Sequence, residues 1–268
     1  MTIDLLAAQS TAIDIARQAA EVVMQYFGGT LKEISKSSDI DIATEADQGS
    51  EALIVEALQV AFPTHHIFGE EGGGYGNSID EAEYRWYIDP LDGTTNYANH
   101  IPFFAISIAL TDNKMRPLMG VVYDPMADEM FSAVLGHGAT INGTPLHVSG
   151  RELLKDCVVS SGFPYNKHTS PENNHKQWGQ FLTRVRGVRR MGAAALDLCY
   201  VADGRFDGYW ESNLGTWDCL AGILCVTEAG GMVSDYQGHN DESIYGGGKI
   251  VASNGHIHKQ MIDVLNIV

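Results

Sequence analysis

From Cys157 to the C-terminus the chain alternates between strand-like and helix-like hydrophobic periods, and this alternation restricts the folds open to it. CVVSSGF (157–163) reads as a strand and residues 174–186 as a helix. GVRRM (187–191) is a strand, residues 193–203 a helix, FDGYWE (206–211) a strand and Thr216–Ala229 a helix. MVSDY (232–236) and KIVASN (249–254) follow as strands, and residues 256–266 form a last helix. Such alternation builds an α/β layer with a mixed sheet.

The first half has a different grammar. Residues 3–27 place Leu5, Leu6, Ile13, Ala16, Ala20, Val23 and Phe27 at roughly helical spacing, and Gly28-Gly29 stops the segment. Residues 30–42 form either a hairpin or a mobile loop. A second helix runs from Thr44 to Ala61, with Thr44 as its cap and Asp47 in its first turn, where a carboxylate suits the helix dipole. HIFGEE, WYIDP, FFAISIAL, PLMGVVYD and EMFSAVLG then read as strands, and Asn142-Gly143 as a hairpin turn. The expected architecture is α/β (α+β): two helices on a largely antiparallel sheet, joined to the alternating layer. A length of 268 residues suits one body of two packed halves, 1–148 and 149–268.

Composition narrows the function. The formal net charge of −17 excludes nucleic acid and anionic membrane, which need a positive footprint. Cys157, Cys199, Cys219 and Cys225 lack CxxC spacing, so buried free thiols in a reducing compartment are expected, not zinc or a disulfide framework. The N-terminus has neither a basic start nor an apolar core, and no apolar run approaches the roughly 20 residues of a membrane helix. A cytoplasmic protein is expected.

The densest chemistry lies in IDPLDGTTN, residues 88–96. A hydrophobic strand ends in Asp89, and Pro90 is expected to take the chain out of the sheet. Asp89 and Asp92 then share one turn, and Gly93-Thr94-Thr95 can open a short helix whose N–H groups suit phosphate. Asp, Pro, Gly and Asn are also ordinary turn residues. Other carboxylates strengthen the functional reading. Glu70 and Glu71 end a strand in GEEG, Asp47 opens a helix, and Asp218 follows Trp217 at the start of another. Carboxylates beside a phosphate cradle suit hard divalent cations.

GEE at 69–71, DPLDGTTN at 89–96, and WD at 217–218 before a helix ending EAGG closely resemble the hallmarks of the inositol monophosphatase family. The resemblance extends over essentially the whole chain, through IATEAD around Asp47, INGTPLHVS (141–149) and GAAALDLCYVADGRFDGYWE (192–211). It implies a layered αβαβα sandwich and a homodimer. It implies Mg²⁺ held by Glu70, Asp89, the Leu91 carbonyl, Asp92 and Asp218. Thr94, Asp47 and Glu70 would be catalytic, with water activated near Thr94 and Asp47. Gly93, Thr94, Gly192, Ala193, Ala194, Glu211 and Asp218 would contact substrate: the first two cradling phosphate, Glu211 meeting hydroxyls, and Gly192 to Ala194 forming a turn in the pocket wall. Lys36 falls in the family's mobile loop. Two positions depart from the pattern: Ala193 stands where a hydroxyl residue is frequent, and Cys219-Leu220 is bulkier than expected.

The implied reaction is hydrolysis of a small phosphate monoester, inositol 1-phosphate first. Fructose 1,6-bisphosphate, NADP and other sugar phosphates are alternatives, and a second phosphate would call on Arg189 and Arg190. The rival from another class is a protein-binding regulatory role, since some bacterial relatives act through transcription machinery. Physical logic supports catalysis: cations held by the carboxylates reverse the local sign, which otherwise repels a phosphate dianion. Remaining features read plainly. His65-His66 and His256-x-His258 are taken as surface residues, GGGYG (72–76) as a flexible loop, and Trp86, Trp210 and Trp217 as packing anchors.

Overall fold

The computed structural model describes residues 3–29, 33–38 and 41–267. Helix α1 (Leu5–Tyr26) begins where the Asp4 carboxylate accepts the N–H groups of Leu6 and Ala7, both at 3.1 Å. Its buried stripe is mostly alanine (Ala8, Ala12, Ala16, Ala19, Ala20), which lets it lie close to its neighbours. Gly28, at φ +84°, turns the chain away. Strands β1 (Glu33–Ser38) and β2 (Asp41–Thr44) pair antiparallel, the hairpin alternative for this segment. The side chain of Lys36 lies outside the described residues. Helix α2 (Glu45–Ala61) carries a capping box: Asp47 Oδ2 accepts the Thr44 N–H at 2.7 Å.

Eight strands among the described residues form the first sheet. They are β3 (His66–Gly69), β4 (Gly73–Gly76), β5 (Tyr84–Asp92), β6 (Ala105–Asp112), β7 (Pro117–Asp124), β8 (Glu129–Val134), β9 (Gly138–Ile141) and β10 (Thr144–Pro145). Their order is β10-β9-β8-β7-β6-β5-β3-β4, antiparallel throughout except for the parallel pair β3 and β5. A short helix, α3 (Thr94–Ala98), follows β5. The second sheet is mixed: β11 (Val158–Ser161) lies parallel to β12 (Gly187–Arg189) and β13 (Gly208–Leu214), while β15 (Gly248–Ser253) runs antiparallel to both β13 and β14 (Met232–Ser234), in the order β12-β11-β13-β15-β14. Helices α4 (His175–Leu182), α5 (Ala194–Ala202), α6 (Thr216–Glu228) and α7 (His258–Leu265) complete it.

Side-chain alternation along the strands sets the layers. Ile106, Ile108 and Leu110 of β6 face α1 and α2, with Trp86, Ile88 and Leu58 in the same core. Ala105 and Ala109, on the other face of β6, pack with α5 and α6. Those two helices also meet Tyr209, Ile250 and Ala252 of the second sheet. Val159, Trp210 and Val251, on the far face of that sheet, pack on Phe181 of α4 and on Met261 and Val264 of α7. The layers are therefore helix, sheet, helix, sheet, helix. Helices from beyond residue 149 pack on strands from before it.

Four readings need correction. β5 does not stop at Pro90: it continues to Asp92, and the register with β6 shifts between Asp89 and Asp92. This bulge takes the missing N–H of Pro90 out of the ladder while the strand persists. GGGYG is not a loop throughout, because Gly73–Gly76 pairs with β3 as an edge strand. His65 and His66 are buried, the first accepting the Trp86 Nε1–H at 3.0 Å. His258 is buried too, between the Ser234 and Ser253 hydroxyls, whereas His256 is exposed. Asn142 and Gly143 both take positive φ, as the hairpin signal requires. All four cysteines are free and buried.

Helix α6 is seated by two glycines. A Cβ at Gly120 of β7 would lie 2.7 Å from the Ala221 Cα, and one at Gly222 would lie 2.5 Å from the Leu198 Cβ of α5. The first contact is with backbone, which cannot swing aside. Gly120→Ala should therefore cost about 1–3 kcal/mol, the usual penalty for overpacking. A lowered urea midpoint with unchanged m-value checks it; an unchanged midpoint would show that α6 slides freely on β7.

Candidate active site

β3 and β5 lie parallel, with Gly69 opposite Ile88, and the Glu70 N–H donates to the Ile88 carbonyl at 3.2 Å. This pairing sets Glu70 beside Asp89. Helix α6 brings Asp218 to the same place from the second half. One carboxylate oxygen from each of Glu70, Asp89 and Asp218 falls within 4.8 Å of the others. Asp89 Oδ1 also accepts the Leu91 N–H at 2.9 Å, and Asp218 Oδ2 accepts the Gly215 N–H at 2.7 Å. These bonds lock the rotamers and leave the remaining lone pairs available.

Asp92 is held differently. Its two oxygens accept the Ala194 and Ala195 N–H groups at 3.1 and 2.7 Å, so it caps the start of α5. It stands outside the group of three, although it lines the same cavity of about 450 Å³. Gly93, at φ +93°, swings the chain into α3. A Cβ there would meet the Phe103 carbonyl at 3.1 Å and the Ala193 Cβ at 3.2 Å. The Thr94 hydroxyl lies 3.0 Å from both Asp47 Oδ1 and the Leu91 carbonyl. Asp47 is 1% exposed, and its other oxygen takes the Thr44 N–H and hydroxyl at 2.7 and 2.6 Å.

The far wall comes from the second half. Glu211 of β13 accepts the Tyr209 hydroxyl at 2.6 Å and lines the cavity. Gly192 and Ala194 line it as well, while Ala193 is buried at 1% and turns to Gly93 instead. The absent hydroxyl at Ala193 thus affects packing before it affects the pocket. Cys219 and Leu220 are likewise fully buried within the core, away from the cavity wall. Arg190 reaches the cavity, but Arg189 folds back on the Val188 carbonyl. Trp217 lines the cavity, beyond the packing function expected of it; Trp86 and Trp210 are fully buried anchors. Asn96 ties the two halves, donating to the Phe103 and Met191 carbonyls, both at 2.8 Å. Phe163, Tyr165 and Asn213 also line the cavity, and no motif marks them in the sequence.

The electrostatics disfavour the charge of three of the carboxylates gathered here. Burial first, then the charges of Glu70, Asp92 and Asp218, push the Asp89 carboxyl well above its usual range. Burial, then Glu70 and Asp92, do the same to Asp218. Burial carries Asp92 up to about 7, against the pull of the Ala195 and Ala194 N–H groups. An all-oxygen donor set that repels itself fits a hard divalent cation.

A family model of inositol monophosphatases matches residues 4–267. The chain belongs to the inositol monophosphatase family. The Nus factor SuhB of Pseudomonas aeruginosa is 41% identical over 257 residues, spanning 95% of this chain and 94% of the relative. An inositol-1-monophosphatase of Synechocystis is 42% identical over 226 residues, 84% of this chain and 77% of that one. The solved inositol monophosphatase of Anabaena superposes with a TM-score of 0.86 at 39% identity, covering 98% of this chain and 96% of that one. The layered fold is thus the family's, and membership supports a phosphatase. Among the described residues no helix is long and apolar enough to cross a membrane.

Linkage gives the site a pH signature. A carboxyl raised in the folded state binds its proton more tightly there than when unfolded. Its contribution is full below about pH 4, the unfolded value, and is lost as pH rises through about 7 for Asp92. Chelator-treated protein should therefore lose stability as pH rises from about 4 to about 7. Excess Mg²⁺ should restore the denaturation midpoint most at the upper end. A midpoint insensitive to both pH and Mg²⁺ would contradict the convergence of these carboxylates.

Proposed function

We propose that this protein hydrolyses a phosphate monoester in a Mg²⁺-dependent reaction, with inositol 1-phosphate the preferred substrate. The convergence of Glu70, Asp89 and Asp218 at the floor of a cavity walled by Glu211 carries the reading. Glu70, Asp89, Asp218, Asp92 and the Leu91 carbonyl would hold the metal. When bound, a divalent cation supplies positive charge to the phosphate and Lewis-acid activation of water.

The chain's own groups do the rest. Thr94 Oγ1 keeps lone pairs to accept a hydrogen bond from a water in the cavity, while its own proton points to Asp47 or Leu91. A proton leaving that water passes to Thr94 Oγ1 as the hydroxyl proton moves to Asp47 Oδ1. The Thr44 bonds to Asp47 Oδ2 fix the carboxylate for this transfer. Backbone N–H groups of Gly93 and Thr94 cradle the phosphate. Glu211, oriented by Tyr209, accepts hydrogen bonds from substrate hydroxyls.

Two observations favour a monophosphate over a bisphosphate. The expected Arg189–Arg190 pair is split, with Arg190 alone at the cavity. A second phosphate near Arg190 would also face the Glu211 carboxylate, whose charge Arg190 already offsets. A protein-binding regulatory role is the second reading, favoured by the name Nus factor carried by a 41% identical relative. The full complement of carboxylates and the Thr94–Asp47 pair favour hydrolysis. A homodimer accompanies the proposal, as the family resemblance implies.

Phosphate release from inositol 1-phosphate, fructose 1,6-bisphosphate, NADP, glycerol 2-phosphate and 3′-phosphoadenosine 5′-phosphate, with Mg²⁺ or chelator, tests the proposal. Release led by inositol 1-phosphate and abolished by chelator is expected. A bisphosphate in the lead would overturn the substrate, and no release from any of them would favour the binding role. Thr94→Ala should lower kcat by about a hundredfold or more, the scale of a lost proton acceptor, with KM changed far less. An equal fall in substrate affinity alone would place Thr94 in binding, not chemistry.

A further inference from the structure

Glu51, on the second turn of α2, is 3% exposed and touches neither the cavity nor the three convergent oxygens. Its carboxylate nevertheless reaches the turn that carries Glu70. Oε2 accepts the Glu71 N–H at 2.9 Å, and Oε1 accepts the Gly72 N–H at 2.7 Å. The Tyr75 hydroxyl donates to the same Oε1 at 2.9 Å. Three donors on a buried carboxylate make strong, charge-assisted bonds that are costly to break.

The glycines of the G-E-E-G segment serve this contact. A Cβ at Gly69 would lie 2.4 Å from the Glu51 carboxyl carbon. A Cβ at Gly72 would lie 1.7 Å from the Tyr75 hydroxyl and 2.8 Å from Glu51 Oε1. The backbone must be bare on both sides of the glutamates for the carboxylate to seat. Glu70 is then pinned from two directions: its own N–H is bonded to Ile88 of β5, and the next two N–H groups are bonded to Glu51.

We infer that Glu51 is a positioning residue for the cation site: it fixes the turn that aims Glu70 at Asp89 and Asp218 and so sets the affinity for a divalent cation. The inference rests on the cation-binding reading above. A clamp that served stability alone would leave cation affinity untouched, so affinity is the quantity to measure.

The test is Mn²⁺ binding without substrate, followed by titration calorimetry on the full chain and on Glu51→Gln. The glutamine keeps the shape but turns an NH₂ group toward an N–H donor. Its Mn²⁺ dissociation constant should rise about tenfold or more, as for other residues that orient metal ligands. KM for the phosphate monoester at saturating Mn²⁺ should stay within about twofold, because Glu51 does not meet substrate. Tyr75→Phe removes one bond of the three and should raise the Mn²⁺ constant a few-fold; this variant decides the matter if Glu51→Gln does not fold. Parental Mn²⁺ affinity in a folded Glu51→Gln, or in Tyr75→Phe where it alone folds, overturns the inference. Absence of Mn²⁺ binding by the parent chain overturns the cation reading itself, a different and separable result.

Discussion

Three carboxylates converge on one point, and most of the local architecture follows from holding them there. Left to themselves, Glu70, Asp89 and Asp218 would separate into solvent. The structure prevents this with directional bonds: Leu91 N–H to Asp89, Gly215 N–H to Asp218, and the β3–β5 pairing beneath Glu70. At Asp89 and Asp218 the repulsion is thus stored as raised carboxyl pKa values instead of being relieved by movement. A cation would find such a cluster preorganised, because these oxygens would need little rearrangement to meet it.

Helix α2 is the element that makes this arrangement rigid. Asp47, Ser50 and Glu51 lie at i, i+3 and i+4, hence on one face. Asp47 holds Thr94, Ser50 donates to the Pro90 carbonyl at 2.9 Å, and Glu51 holds the Glu71–Gly72 backbone. A single helical turn therefore fastens both the turn after β3 and the bulge in β5. The same face continues through Ile54 and Leu58, which are sealed in the core with α1. Polar positioning by the first two turns and apolar anchoring by the later ones thus share one buried face of the same element.

What the sequence revealed and what it hid divide along contact range. Helices and strands were legible wherever periodicity was clear, as in Pro117–Asp124, whose bounds match the reading. The DPLDGTT turn was legible because its residues are adjacent, and Asp47 because capping boxes are local. That Glu70 and Asp218 meet Asp89 came from family resemblance, since spacing along the chain does not encode convergence. The Glu51 contacts, 20 to 24 residues apart, carried no local signal. Pro90 misled because its missing N–H argues against a strand, whereas a bulge satisfies both facts. The buried histidines misled for a related reason: a neighbouring aromatic such as Trp86 supplies the partner that solvent would otherwise provide.

Residues from before and after position 149 share the core and both contribute to the cavity. Glu70, Asp89, Asp92, Gly93 and Thr94 come from before residue 149, while Glu211, Gly192 and Arg190 come from after it. Asp218 alone among the three convergent carboxylates crosses that division, and α6 delivers it. The helix is pressed on one side against β7 at Gly120 and on the other against α5 at Gly222. The same α5 starts at Ala194, where Asp92 accepts its first N–H groups. A displacement of α6 would thus disturb Asp218 directly and Asp92 through α5. Close-packed glycines outside the cavity lining thereby help to hold the carboxylate geometry within it.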